Sequence, residues 1–162
     1  MDRGRDETTM GTHADKAKSL FFEGYNCAQS VFCAFTDVTN LDLNISARLA
    51  SSFGGGMGRL REVCGTVSAA AMVLGLAKGY ADPKDVQAKK EHYRLVREFS
   101  ERFRAAEGSI VCRELLARAD VDPRAVAAGG DPEARTQEYY KKRPCPELVW
   151  QAAHILDIML NT

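Results

Sequence analysis

The sequence is poor in the features that most readily declare a function. Histidine occurs only at His13, His92 and His154, and no spacing outlines a Ser–His–Asp arrangement. Charge of either sign is not in excess: Lys+Arg and Asp+Glu stand at 22 each. That balance gives no electrostatic ground for nucleic acid or an anionic membrane surface as partner. No apolar segment follows the polar opening MDRGRDETTMGTH, so no signal peptide is expected. The longest nearly uncharged run, Val63 to Ala77, is too short to cross a bilayer comfortably and contains two glycines. These absences lead us to expect a soluble, cytoplasmic chain.

Paired cysteines are missing as well. The five cysteines, Cys27, Cys33, Cys64, Cys112 and Cys145, are scattered, and no two form C-x-x-C. An odd, dispersed set does not read as the disulfide framework of a small secreted domain. The first alternative is that they are small buried hydrophobes. No stretch alternates apolar and polar residues as a half-buried strand does. The 162 residues suit one compact domain with its own core. The expectation is therefore all-α: a single multi-helix domain over residues 14–162, behind a disordered tail of residues 1–13.

What is present is helical period with clear punctuation. Thr12 or Asp15 can cap a helix over Ala14 to Glu23 that Gly24 ends, and Asn26 can cap a second from Cys27 to about Phe35. Asp37 to Leu43 reads as a polar connection. Asn44 or Ser46 then caps Ile45 to Phe53, whose Ile45, Leu49 and Phe53 share a face. A buried helix from about Glu62 to Lys78 carries Gly65, Ser68, Ala69, Ala71 and Gly75 as a close-packing side, with Met72, Leu74 and Leu76 filling the rest. Asp82-Pro83 opens the clearest amphipathic helix, Lys84 to Glu107, with Tyr93, Val96, Phe99, Phe103 and Ala106 on one face and the pairs Arg97/Glu101 and Glu98/Arg102 outside. Ser109 caps Ile110 to about Arg118. Asp120 to Arg143 is irregular, with one small helix near Glu133 to Tyr140 and a solvated basic cluster at Lys141, Lys142 and Arg143. A last helix runs from Glu147 to Leu160, with Val149, Ala152, Ala153 and Leu156 inward.

The most informative stretch is Phe53 to Leu76, FGGGMGRLREVCGTVSAAAMVLGL. Gly54, Gly55, Gly56 and Gly58 form a loop that leads into Cys64-Gly65. A glycine loop feeding a helix start presents unpaired N–H groups, which favour negative charge, a thiolate included. It lacks the G-x-x-x-x-G-K-[ST] pattern of a nucleotide phosphate loop. Cys27, Cys64, Cys112 and Cys145 all fall at expected helix starts, where the helix dipole can lower a thiol pKa. Cys33 lies mid-helix and reads as core. Arg59, Arg61 and Glu62 can tune Cys64 but read first as surface charge, and His92 and His154 as packed or solvated helix residues.

The same positions carry a family resemblance. Gly24-Tyr25-Asn26-Cys27-Ala28-Gln29, the Phe53 to Gly58 loop leading to Cys64-Gly65, Met72 to Leu76, Cys112-Arg113-Glu114-Leu115 and Cys145-Pro146 occur in order. Over roughly residues 14 to 160 the chain resembles the C-GCAxxG-C-C family of redox-active proteins, which singles out the same four cysteines. It departs from that pattern at Thr66 and Ala69, which replace an alanine and a glycine. The resemblance implies redox activity without a mechanism.

Three functions stay open at this point. In the first, Cys27, Cys64, Cys112 and Cys145 cycle between dithiol and disulfide or carry electrons, as a thiol-dependent oxidoreductase would, with a redox protein or a small thiol or disulfide as partner. In the second, the same four are ligands to zinc or an iron–sulfur cluster, and Gly54, Gly55, Gly56, Gly58 and Gly65 give N–H donors to the bound group. In the third, the chain is a helical interaction protein with structural cysteines. Assembly with further copies of itself is open in each.

Overall fold

The computed structural model describes residues 12–161. The expected tail lies outside the described residues up to residue 11, but its last two residues do not behave as tail. Thr12 is extended and its side chain accepts a hydrogen bond from the Asp15 N–H, so helix α1, His13–Phe22, begins one residue earlier than expected. His13 stacks on Phe35 at 4.1 Å and bridges Asp157 at 2.5 Å and Asp37 at 2.9 Å. Ala14, Ala17 and Phe21 form the buried face of α1. Asn26 starts α2, Cys27–Ala34, through a capping box: it accepts from the Gln29 N–H while the Gln29 side chain accepts from the Asn26 N–H.

The next two elements differ from expectation. The connection after α2 contains a short helix, α3, Thr36–Thr39, closed by Asn40 in the left-handed region. The cap of α4, Leu43–Ala50, is Asp42, which accepts from the Ile45 N–H at 2.8 Å. The helix starts two residues earlier than expected; Ser46 and Ala50 face inward, whereas Ile45 and Leu49 are exposed. A 3-10 turn, Ser51–Phe53, then delivers the chain to the glycine loop.

Helix α5 is Gly65–Lys78, with Cys64 as its N-cap rather than a residue inside it. Residues 61–64 run alongside 110–113 and pair with them, through an isolated antiparallel bridge between Val63 and Val111. This shortens both neighbouring helices. It removes Glu62 and Val63 from α5, and it makes Cys112 the first residue of α7, Cys112–Ala117. The close-packing side of α5 holds at Gly65 and Ala69, but Gly75 and Leu76 are exposed.

Helix α6, Val86–Glu107, is capped by Asp85, and Asp82-Pro83 lies in the turn before it. It buries Phe99 and Phe103 and leaves Tyr93 exposed. Of the expected pairs, Glu98 meets Arg102 at 2.9 Å, whereas Glu101 takes Arg104. The irregular region holds α8, Pro123–Val126, and α9, Gln137–Lys142. Helix α10, Cys145–Leu160, starts two residues earlier than expected, with Pro146 in its first turn, where no N–H is needed.

The core forms where α10 packs on α1, α2, α5 and α6, with α2 also against α1, α4 and α5. Phe21, Phe32, Phe35, Phe99, Phe103, Leu74 and Leu156 fill it, and Cys33 is buried beside Phe32. The single tryptophan, Trp150, joins α10 to α1 by donating Nε1–H to Asp15 at 3.1 Å and stacks on His154 at 4.7 Å. Among the described residues no helix is long and apolar enough to cross a membrane.

Candidate functional site

The starts of α2, α5, α7 and α10 converge, and Cys27, Cys64, Cys112 and Cys145 line one cavity of about 290 Å³. The backbone pairing explains how two of them meet. The Cys64 N–H donates to the Ile110 carbonyl at 2.8 Å and the Cys112 N–H to the Glu62 carbonyl at 2.6 Å. Cys64 and Cys112, 48 positions apart in sequence, are thereby held across one short ladder. All five cysteines are free thiols. Cys33 is outside the cavity wall.

Gly55, Gly56 and Gly65 bear on Cys27 and Cys112 rather than on Cys64. Gly55 and Ala28 N–H groups donate to the Cys27 sulfur. A Cβ on Gly56 would stand 2.7 Å from Cys112 Cβ and 2.7 Å from the Glu62 nitrogen, so only glycine lets α7 approach. A Cβ on Gly65 would lie 2.7 Å from Cys27 Sγ and 2.6 Å from the Phe53 carbonyl. The turn is left-handed at Gly55, Gly56 and Gly58, and also at Met57, Arg59 and Arg61. Non-glycine residues held at positive φ store strain of about 1–3 kcal/mol each. Hydrogen bonds over six residues, from the Arg61 N–H to the Gly55 carbonyl and from Glu62 to Gly56, hold them there.

Thiol ionisation does not follow the helix-start expectation. Burial pushes the Cys27 thiol up, and the charge of Cys112 adds to this. Burial also raises Cys64, with the charge of Cys27 next, and raises Cys145 to about 12, again with Cys27 next. The N–H groups of Gly55 and Thr66 act in the opposite direction but are outweighed. Thr66, the departure from the family pattern, is fully buried and bonds the Cys64 sulfur at 3.1 Å through its hydroxyl.

Several wall residues were not anticipated. Arg61, read as surface charge, is 3% exposed and directs Nη1 to the Cys112 sulfur at 3.7 Å. Its left-handed backbone turns the side chain under the loop. Arg143, read as part of a solvated cluster, is 7% exposed and pairs with Glu133 at 2.5 Å. Arg135 donates to the Phe21 and Tyr25 carbonyls and lies 4.2 Å over the Phe21 ring. Tyr139, between Arg135 and Arg143, is raised to about 12 by burial. These residues come from the irregular segment, where period carries no signal. The available hint was adjacency: Arg143 stands two residues before Cys145, and Arg61 three before Cys64.

Four guanidiniums, Arg59, Arg61, Arg135 and Arg143, thus face one carboxylate, Glu133, around the thiols. Among the described residues no three His, Cys, Asp or Glu side chains are grouped so as to hold a metal ion.

No curated protein and no solved structure matches the chain. A family model described as "Putative redox-active protein (C_GCAxxG_C_C)" matches residues 25–159. That span takes in the glycine loop and all four cavity cysteines, and the chain belongs to the C_GCAxxG_C_C family.

Proposed function

We propose that the chain is a thiol–disulfide oxidoreductase whose cavity cysteines reduce a disulfide small enough to enter. The observation that carries this reading is the convergence of the four thiols on one cavity, with the Arg61 guanidinium on the Cys112 sulfur. A thiolate formed at Cys112 has a cation to pair with, so Cys112 is the attacking group. It attacks one sulfur of the substrate disulfide, forming a mixed disulfide and expelling the other half as a thiolate that takes up a proton. Cys27, whose charge acts on Cys64 and Cys145 and feels that of Cys112, then attacks the Cys112 sulfur. The second half leaves as a thiol, and Cys27–Cys112 is left as a disulfide. Two electrons have passed to the substrate, and a dithiol reductant or a redox protein restores the pair.

The test is oxidation of the reduced, full-length protein with oxidised glutathione, followed by thiol counting and peptide mapping. The expected result is loss of two thiols and a Cys27–Cys112 linked peptide, absent in Cys112→Ser. Five thiols still free, or linkage through Cys33, would refute the reading. Metal analysis of protein purified without oxygen tests the ligand alternative separately.

A further inference from the structure

One wall residue has hydrogen bonds that do not close. Arg61 uses Nη1 on Cys112, but its Nε and Nη2 have no partner among the described residues, although the side chain is almost wholly buried. Buried guanidinium N–H groups are costly to leave unpaired. These two are not an arbitrary pair. Nε–H and Nη2–H point the same way along one edge of the guanidinium plane, the fork that takes two oxygens of a carboxylate or phosphate. The other guanidiniums are committed: Arg59 to the Gly129 carbonyl, Arg135 to two carbonyls, Arg143 to Glu133. They supply positive potential and hold the wall; among the described residues, Arg61 is the one guanidinium with a buried fork left unpaired. Glu133, the only carboxylate in the wall among the described residues, is engaged by Arg143.

We propose that Arg61 seats the acid group of a small anion, held by two hydrogen bonds on Nε and Nη2 beside the Cys112 sulfur. The acid group is either an inorganic oxyanion or the carboxylate of an organic molecule, since both present two oxygens at the spacing of the fork. The seat names the substrate class of the thiol chemistry proposed above. It rests on that reading for its role but not for its existence. An acid-bearing disulfide anchored at Arg61 has its sulfurs delivered to Cys112.

The experiment follows the Arg61 Nε–H resonance of reduced, full-length, nitrogen-15-labelled protein. Sodium phosphate and sodium acetate are titrated separately at constant ionic strength. We expect a saturable shift with at least one of them. Arg61→Lys keeps the charge and loses the fork, so calorimetry should show at least about a tenfold weakening. Phosphate alone assigns an oxyanion, acetate alone a carboxylate, and both assign the fork to either carrier. Cys112→Ser should still bind, which separates failure of the seat from failure of the thiol chemistry. No saturable shift with either salt in the wild-type protein would overturn the proposal, as would equal affinity in a folded Arg61→Lys variant.

Discussion

Gly65 and Gly75 stand ten positions apart in one helix and are under opposite constraints. At Gly65 an added methyl group meets backbone and sulfur, whereas at Gly75 it meets nothing within 4 Å and the site is exposed. Gly65→Ala should therefore cost about 1–3 kcal/mol, as overpacking does. Gly75→Ala should stabilise by about 0.5–1 kcal/mol through the lower entropy of the unfolded chain. Urea denaturation of the two variants checks both signs. The sequence named Gly65 and Gly75 together as a close-packing stripe, because spacing records which side of a helix is small. It does not record where the neighbouring helix ends.

At the scale of elements, α1 is fastened to α10 and to the start of α3 by His13. The Asp157 hydrogen bond is the largest cause that raises the His13 pKa, and Asp37 adds to it. A raised folded-state value means that protonation favours the folded form. This stabilisation is fully present below the ordinary histidine value of about 6.5 and is lost as pH rises through the higher folded value. Denaturant midpoints measured from pH 5 to 9 should fall across that window, and His13→Gln should flatten this part of the profile. Unchanged pH dependence in the variant would mean that the clasp contributes nothing.

Element existence was legible wherever a cap preceded a long apolar period, as at Asn26 before α2 and along α6. It was not legible where two separated segments decide together. The Val63–Val111 pairing is fixed by hydrogen bonds across 48 positions, and no local pattern at either end announces it. Both helix starts beside it were consequently placed too early. The α4 start was missed differently: Asp42 outcompeted Asn44 and Ser46 as cap, while the face that carries Ile45 and Leu49 lies at the surface.

For the molecule as a whole, burial holds the Cys27, Cys64 and Cys145 thiols in their protonated form. With Cys145 raised to about 12, its thiolate at neutral pH is scarcer than that of a free cysteine by more than about a hundredfold. Native protein should therefore be alkylated slowly by iodoacetamide at Cys27, Cys64 and Cys145. In denaturant all five cysteines should react at the ordinary rate, and site-resolved mass spectrometry would measure both. Rapid native labelling of Cys145 would contradict the suppression of its thiolate. The helix-start placement of four cysteines could be read from the sequence, because a cap is a local signal. The arginines around them could not: Arg61 is carried inward by left-handed backbone, and Arg135 and Arg143 belong to a segment without period.

The Trp150 contact has a practical consequence. The only indole in the chain sits where α10 meets α1, and it is not part of the cavity wall. Its emission therefore reports whether α1 is docked on α10, and thiol-directed reagents leave the indole unmodified. The protein carries its own optical gauge of helix docking, readable while the cavity is oxidised, reduced or titrated.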